Sequence, residues 1–186
     1  GNMRKISFLL VVVLVLTTLI PALPVLAAGV PCQNSAPDKD GYGGQQGGIP
    51  MKDMPAYCQE ILNMIEWANG DPATSKWAKM RAEAGHPAPF GLKYVGVGNE
   101  DLISTTFEER YEMICKAIKE KYPNIEVVGT VGPFHDPSAD YTEGWKFAKE
   151  HKDILDLVDE HYYESPGWFM HHQDYYDNYD RTAPKV

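Results

Sequence analysis

The chain has only three cysteines, Cys32, Cys58 and Cys115. An odd number without metal-ligand spacing indicates neither a disulfide framework nor a zinc site. Cys58 and Cys115 lie within helical patterns, so we expect them to be buried thiols, whereas Cys32 is either free or paired. No metal site is predicted from the cysteines.

Basic residues are also few. The chain has 17 Lys and Arg against 26 Asp and Glu, which gives a formal net charge of -9. An acidic surface argues against nucleic acid or an anionic membrane as the partner. A neutral glycan remains compatible with this charge.

The chain has one long apolar run, which lies near its start. A basic beginning at Arg4 and Lys5 precedes an apolar run over residues 6–20, a proline and a small-residue exit. This layout predicts a secretory signal peptide over residues 1–27, cleaved after Ala27, and an extracellular or periplasmic protein without a membrane anchor. An uncleaved anchor is the alternative, but the run is shorter than the ~20 residues that a spanning helix needs.

Residues 28–49 are polar and rich in glycine, which predicts a flexible linker, and structure is expected over residues 50–186. Apolar residues at helical spacing then predict a helix that Asp53 caps and that Asn69 and Gly70 end. The stretch 71–90 is expected to be irregular. The core positions of the helix are Met54, Tyr57, Ile61, Ile65 and Ala68.

Two further helices follow. Thr106 and Glu109 have the spacing of a capping box at the start of the second helix. The apolar positions that this helix buries are Phe107, Tyr111, Ile114 and Ile118. The third helix is predicted over residues 142–151.

Three apolar runs alternate with these helices and predict strands at 94–98, 126–132 and 156–161. Val95, Val127 and Val158 lie 32 and 31 residues apart. This is the period of βαβ units, whose crossovers make the strands parallel. The pattern predicts an α/β fold that is part of a (β/α)8 TIM barrel, because eight units need ~250 residues. Open sheet edges would favour self-association.

The first strand ends at an Asn-Glu pair, Asn99 and Glu100. The carboxyl ends of barrel strands are where the chemistry of such folds lies. In glycoside hydrolysis a carboxylic acid protonates the leaving oxygen, and hydrogen bonds to the sugar 2-hydroxyl strengthen in the transition state. The pair therefore predicts Glu100 as the acid and Asn99 as a substrate-binding residue. An exposed acid that serves solubility is the alternative.

Several separate motifs are similar to those of one family. They are Trp67-Ala-Asn-Gly70, Gly85-His-Pro-Ala-Pro-Phe90, Lys93 to Asp101 and Glu160-His-Tyr-Tyr163. Together they resemble the catalytic barrel of the α-L-arabinofuranosidases of glycoside hydrolase family 51, a retaining family, over about residues 47–186.

The resemblance implies that the three strands correspond to the fourth, fifth and sixth of that barrel. Glu100 then matches the general acid/base and Asn99 the residue that binds the arabinose 2-hydroxyl. On the sixth strand the family presents an aromatic residue that contacts the catalytic nucleophile. Tyr162 is the better match for it, with Tyr163 and His161 as neighbours, so Tyr162 and His161 are expected to bind substrate.

The nucleophile of such a retaining enzyme is a second carboxylate ~5 Å from the first. The family has it on the seventh strand, which would begin near Lys185 and Val186, so none is expected in this chain. Glu160 and Glu164 are candidates to replace it, although a structural or solvated role is favoured for both. Burial and a nearby carboxylate are expected to raise the pKa of Glu100.

An aromatic loop follows the sixth-strand motif. It either stacks on sugar faces or, as we favour, packs over the end of the sheet. The histidines and acids around it match no zinc spacing, so no metal is predicted. The members of the loop are Tyr162, Tyr163, Trp168, Phe169, Tyr175, Tyr176 and Tyr179, and the potential ligands are His161, His171, His172, Asp174 and Asp177.

The sequence thus predicts a fragment of a secreted retaining glycosidase. It would release terminal α-L-arabinofuranosyl residues from an arabinose-containing polysaccharide or oligosaccharide without a cofactor, and be inactive alone. The alternative is a non-catalytic remnant that binds glycan or associates with itself.

Overall fold

The structure is a computed structural model that describes the backbone of residues 27–30 and, in full, residues 49–135 and 137–186. The predicted signal peptide up to residue 26, the predicted linker over 31–48 and Cys32 lie outside the described residues. Among the residues described, no helix has the length and apolar character needed to cross a membrane.

In the part of the chain that the structure describes, four parallel strands form one sheet in the order β1-β2-β3-β4. They are β1 (Ala27–Val30), β2 (Tyr94–Val97), β3 (Glu126–Thr130) and β4 (Leu157–Asp159). Since consecutive strands are neighbours and parallel, the predicted α/β class is confirmed. The sheet places the ends of β2, β3 and β4 along one edge.

The first of these strands differs from the sequence prediction. Ala27 lies opposite Tyr94 and Val30 opposite Val97, whereas the sequence predicted a cleavage site followed by a linker. The edge of β2 presents backbone N–H and C=O groups that need partners. An extended segment alongside β2 supplies them, which a pattern of composition alone does not reveal.

Within the described residues, five helices accompany the strands. They are α1 (Met54–Asn69), which follows a 3-10 turn at Met51–Asp53, α2 (Lys76–Glu83), α3 (Thr105–Lys121), α4 (Ala139–Glu150) and α5 (Pro166–His171). The three predicted helices are present, but α2 occupies a stretch that was predicted to be irregular.

Serines cap four of these helices, all but α1. Each accepts a hydrogen bond from a backbone N–H of the first turn, which satisfies a donor without an intrahelical partner. Asp53 holds the N-cap position of α1, as predicted, although its side chain makes no cap bond. The predicted cap of the next helix was wrong, because α3 begins one residue before Thr106 with Ser104 as its cap. The four serine caps are Ser75, Ser104, Ser138 and Ser165.

Helix α2 holds a fully buried arginine, Arg81. Its guanidinium donates to five backbone carbonyls, three of them at the C-terminal end of α1 and two in the loop after α2. A charge at a helix C-terminus is stabilised by the helix dipole. The acceptors are Trp67, Ala68, Gly70, His86 and Pro87, at 2.8 to 3.1 Å.

The core lies on the face of the sheet that the helices cover. Val95, Val127 and Val158 are fully buried there, together with the predicted apolar positions of α1 and α3 except Tyr57, which is half-buried. Cys58 and Cys115 are buried and free, as predicted. On the opposite face, Thr130 at the end of β3 is buried, whereas Asp159 at the end of β4 is exposed and accessible from that face.

Candidate active site

The turn after β2 is built around a glycine. Gly98 has φ +89°, a left-handed conformation that glycine adopts without strain. A Cβ at this position would lie 2.6 Å from Thr130 Cγ2 and 2.9 Å from Asp101 Oδ2. Glycine therefore lets the chain turn tightly against the end of β3 and present Glu100.

Two side chains fix the turn from opposite sides. Asp101 Oδ2 accepts the Asn99 N–H at 2.8 Å, and the Thr130 hydroxyl donates to the Asn99 carbonyl. Asp101 is 6% exposed, and this burial raises its pKa to about 6. Neither residue was identified as part of the site from the sequence.

Glu100 lies at the centre of the candidate site. Its Oε1 accepts a hydrogen bond from the Tyr163 hydroxyl and lies 2.8 Å from His161 Nδ1. The other ring nitrogen of His161, Nε2, is 3.0 Å from Asp159 Oδ2. The loop after β2 and the end of β4 thus meet at one carboxylate.

The pKa of Glu100 is lowered, contrary to our expectation. The hydrogen bond from Tyr163 is the largest cause and the hydrogen bond from His161 the second. Both donors stabilise the ionised form. In the structure described, Glu100 is therefore a carboxylate at neutral pH.

The structure brings Tyr163 to Glu100, and not Tyr162. The Tyr162 hydroxyl donates to Glu160 and accepts from Tyr176 at 2.8 Å. Successive side chains of an extended segment point to opposite faces, so Tyr163 shares the face of His161 whereas Tyr162 shares that of Glu160. A period of two counted from His161 would have found both Tyr163 and Asp159.

Glu160 and Glu164, the candidates to replace the nucleophile, both bind other residues. Glu160 is buried and accepts from Trp145 Nε1 at 2.7 Å and from the Tyr179 hydroxyl at 2.8 Å. Glu164 Oε1 pairs with His135 Nε2 at 2.9 Å. These contacts fit the structural role that the sequence favoured for both acids.

The aromatic loop packs mainly on itself. His135 stacks on Tyr162 with ring centroids 4.9 Å apart and contacts Trp168 and Tyr175. The loop therefore packs on itself and on the loop after β3, and packing over the end of the sheet stays a prediction.

Two aromatic rings near Glu100 remain open to solvent. Tyr163 is 63% and Phe134 50% exposed, and their ring centroids are 5.5 Å apart. Phe134 belongs to the loop after β3 and was not identified from the sequence.

The remaining predicted positions are also placed. Asn99 is exposed beside Glu100, whereas His171 and His172 are exposed on and after α5. Within residues 49–135 and 137–186, no three metal-ligand side chains converge on one point.

Comparisons with known proteins identify the family of the chain. The family model described as "Alpha-L-arabinofuranosidase 1 domain" matches residues 16–181. The chain belongs to the α-L-arabinofuranosidase family. The match begins inside the apolar run that predicted a signal peptide.

Named relatives of this family agree. The extracellular exo-alpha-L-arabinofuranosidase of Streptomyces chartreusis is 41% identical over 167 residues, which cover 90% of this chain and 18% of the relative. Alpha-L-arabinofuranosidase 2 of Arabidopsis thaliana is 34% identical over 138 residues, which cover 74% of this chain and 18% of that relative. The chain thus spans about a fifth of the length of these arabinofuranosidases.

A solved structure of the family shares the fold. The arabinose-bound MgGH51 α-L-arabinofuranosidase superposes with a TM-score of 0.60 and 28% identity, over 77% of this chain and 21% of that one. The predicted resemblance to family 51 is confirmed.

Proposed function

We propose that the chain forms the acid/base part of a retaining α-L-arabinofuranosidase that releases terminal non-reducing α-L-arabinofuranosyl residues from arabinan or arabinoxylan. The observation that carries this proposal is Glu100 at the carboxyl edge of the parallel sheet, bonded by Tyr163 and His161. The names of the family and of its relatives support the substrate class.

We also propose that the four strands are consecutive strands of a (β/α)8 barrel. Strands β2, β3 and β4 would be the fourth, fifth and sixth, and β1 the third. Their parallel order supports this proposal. In such a barrel the Glu100 turn opens on the face where substrate binds.

The first chemical step uses Glu100 as an acid. Its proton moves to the glycosidic oxygen while the second carboxylate bonds to the anomeric carbon and the aglycone leaves as an alcohol. In the second step the Glu100 carboxylate takes a proton from water, and the water oxygen displaces the enzyme carboxylate from the sugar.

The second carboxylate is proposed to come from outside the described residues, because Glu160 and Glu164 are bonded to other groups. A carboxylate ~5 Å from Glu100 would oppose its ionisation and raise its pKa. Without it, Glu100 stays ionised. The chain alone is therefore proposed not to form a glycosyl-enzyme.

Substrate would lie over the open side of this turn. Asn99 is exposed next to Glu100 and can hydrogen-bond the sugar 2-hydroxyl. Tyr163 and Phe134 offer exposed rings to the apolar face of a sugar. These steps need proton transfer and a carboxylate, and no cofactor takes part in them.

Hydrolysis of phenyl α-L-arabinofuranoside with and without sodium azide tests the proposal. Azide can replace the absent carboxylate at the anomeric carbon, and its negative charge near Glu100 favours protonation of that acid as the carboxylate would, so we expect phenol release only with azide. Glu100→Gln should reduce this release by roughly 10²- to 10⁴-fold, the usual contribution of a general acid. Glu126→Gln is the matched control, since Glu126 is exposed at the opposite end of β3.

Equal azide-dependent release by wild type and Glu100→Gln would refute the role of Glu100. Release without azide that Glu100→Gln abolishes would keep that role, and would show that the second carboxylate lies within this chain.

We further propose that the protein is exported, as the name of the Streptomyces relative says of that protein. Cleavage after Ala27 would fall inside β1, which pairs with β2 from Ala27 onward. N-terminal sequencing of the protein recovered outside the cell tests the site. A mature chain that starts at Ala28 would contradict the pairing of Ala27.

A further inference from the structure

One histidine lies between two carboxylates at the candidate site. His161 Nδ1 is 2.8 Å from Glu100 Oε1, and Nε2 is 3.0 Å from Asp159 Oδ2. The His161 side chain is 24% exposed, Glu100 31% and Asp159 54%. We call this arrangement the Asp159–His161–Glu100 bridge.

The bridge fits the charged form of the ring. A neutral imidazole has one N–H, so it can donate to only one of the two carboxylates and turns a lone pair towards the other. The imidazolium donates from both nitrogens. Both distances are short enough for such bonds, so the geometry selects the doubly protonated ring.

The electrostatic surroundings of His161 agree with this. Burial lowers its pKa, but hydrogen bonds with Glu100 and Asp159 and their charges raise it more, so the net pKa is raised. Among the described residues, the charged groups that face the ring are Glu100, from the loop after β2, and Asp159, on β4. Tyr163 reaches the same Glu100 oxygen from the loop after β4.

We propose that His161 is the proton reservoir of Glu100. Asp159 is the positioning residue, because its contact with Nε2 keeps the ring charged and keeps Nδ1 directed at Glu100. This inference rests on the proposed acid/base role of Glu100. The proton leaves Nδ1, whose bonding electron pair remains on the nitrogen, and forms an O–H bond at Glu100 Oε1. The ring becomes neutral and keeps its Nε2 proton, which still donates to Asp159.

Glu100 needs a nearby proton donor, because its hydrogen bonds favour the ionised form. The donors that hold Glu100 also keep it ionised, yet the first step requires its proton. When a second carboxylate comes close, the charge on Glu100 becomes unfavourable. A transfer over 2.8 Å from His161 then neutralises both partners and requires no proton from solvent.

Asp159 has the position that this role requires. It is the last residue of β4, two residues before His161, so both side chains lie on the same face. Asp156, at the start of the same segment, is instead bound by Lys119 at 2.8 Å and by the Val127 N–H at 2.7 Å. Asp156 therefore stabilises the fold, whereas Asp159 contacts a residue of the candidate site.

Nitrogen NMR of the chain with ¹⁵N-labelled histidine tests the inference. It reports, for each ring, the pH at which the proton is lost and the nitrogen that keeps the remaining one. Asp159→Asn and Glu100→Gln should each move the His161 midpoint to lower pH, because each removes a negative partner. In Glu100→Gln, which imitates the protonated acid, the neutral ring should hold its proton on Nε2.

The double variant Glu100→Gln with Asp159→Asn should lose that preference for Nε2. Asp153→Asn is the matched control, because Asp153 is exposed just before β4, and it should leave the His161 signals unchanged. If Asp159→Asn gives the same midpoint and the same proton position as the control, the inference is overturned.

This experiment is independent of turnover. If the NMR shifts occur but hydrolysis does not depend on Glu100, the proposed function fails and the bridge itself stands. If hydrolysis depends on Glu100 but the NMR shifts are absent, the function stands and the reservoir fails.

Discussion

Exchanging Arg81 for lysine should destabilise the protein strongly. The arginine is 0% exposed and uses all its donors on five carbonyls, at the end of α1 and in the loop that leads to β2. Lysine keeps the charge but has three donors on one nitrogen. At least two of the five carbonyls, all of which lie in buried or partly buried hydrogen bonds, would lose their partner.

The structure sets the size of the effect. A hydrogen bond from a charged donor contributes about 1.5 to 3 kcal/mol, so two lost bonds amount to about 3 kcal/mol or more. That is a large part of the ~5–15 kcal/mol by which a domain is stable. Urea unfolding followed by circular dichroism measures it as a lower midpoint at unchanged slope.

The reverse exchange on the same helix is the control. Lys79 is exposed and pairs loosely with Glu83 at 3.9 Å, so Lys79→Arg should change the free energy of unfolding by less than about 0.5 kcal/mol. An Arg81→Lys variant as stable as Lys79→Arg would refute the argument that the five carbonyls depend on the guanidinium.

Two further substitutions test the turn that presents Glu100. Gly98→Ala should lower the free energy of unfolding in urea by about 2 kcal/mol more than Gly91→Ala does. Both glycines have positive φ, but only a Cβ at position 98 meets other atoms. Equal losses would contradict the close approach to Thr130. Burial raises the pKa of Asp101 to about 6, against about 3.9 when unfolded, so its ionisation destabilises the fold as the pH rises between about 4 and 6. Asp101→Asn should remove the part of this loss that falls between about pH 4 and pH 6, about 2 kcal/mol, from the difference in the free energy of unfolding at these two pH values, and an unchanged difference would contradict the raised pKa.

Much of the fold could be predicted because apolar spacing is a local property. The helical faces of α1 and α3 and the three strands β2, β3 and β4 follow from it. Helix α2 was missed because half of its eight residues are charged and its burial depends on Arg81 finding distant carbonyls. Strand β1 was missed because pairing with β2 is a long-range event that composition does not encode.

The sequence predicted the central residues of the candidate site but not the residues that hold them in place. Glu100 and His161 followed from the motifs that contain them. Asp101 and Thr130 were missed because their role depends on a turn that touches the next strand. The lowered pKa of Glu100 depends on a tyrosine from another loop, and the sequence favoured its neighbour Tyr162.

The alternation along the end of β4 has a consequence for how this segment can vary. His161 and Tyr163 serve Glu100, whereas Glu160 and Tyr162 belong to the buried aromatic side. Inserting or deleting one residue after Asp159 would exchange the two sets, burying a histidine and exposing Glu160. Relatives and engineered variants can therefore change side chains here, but the length of this segment should be invariant.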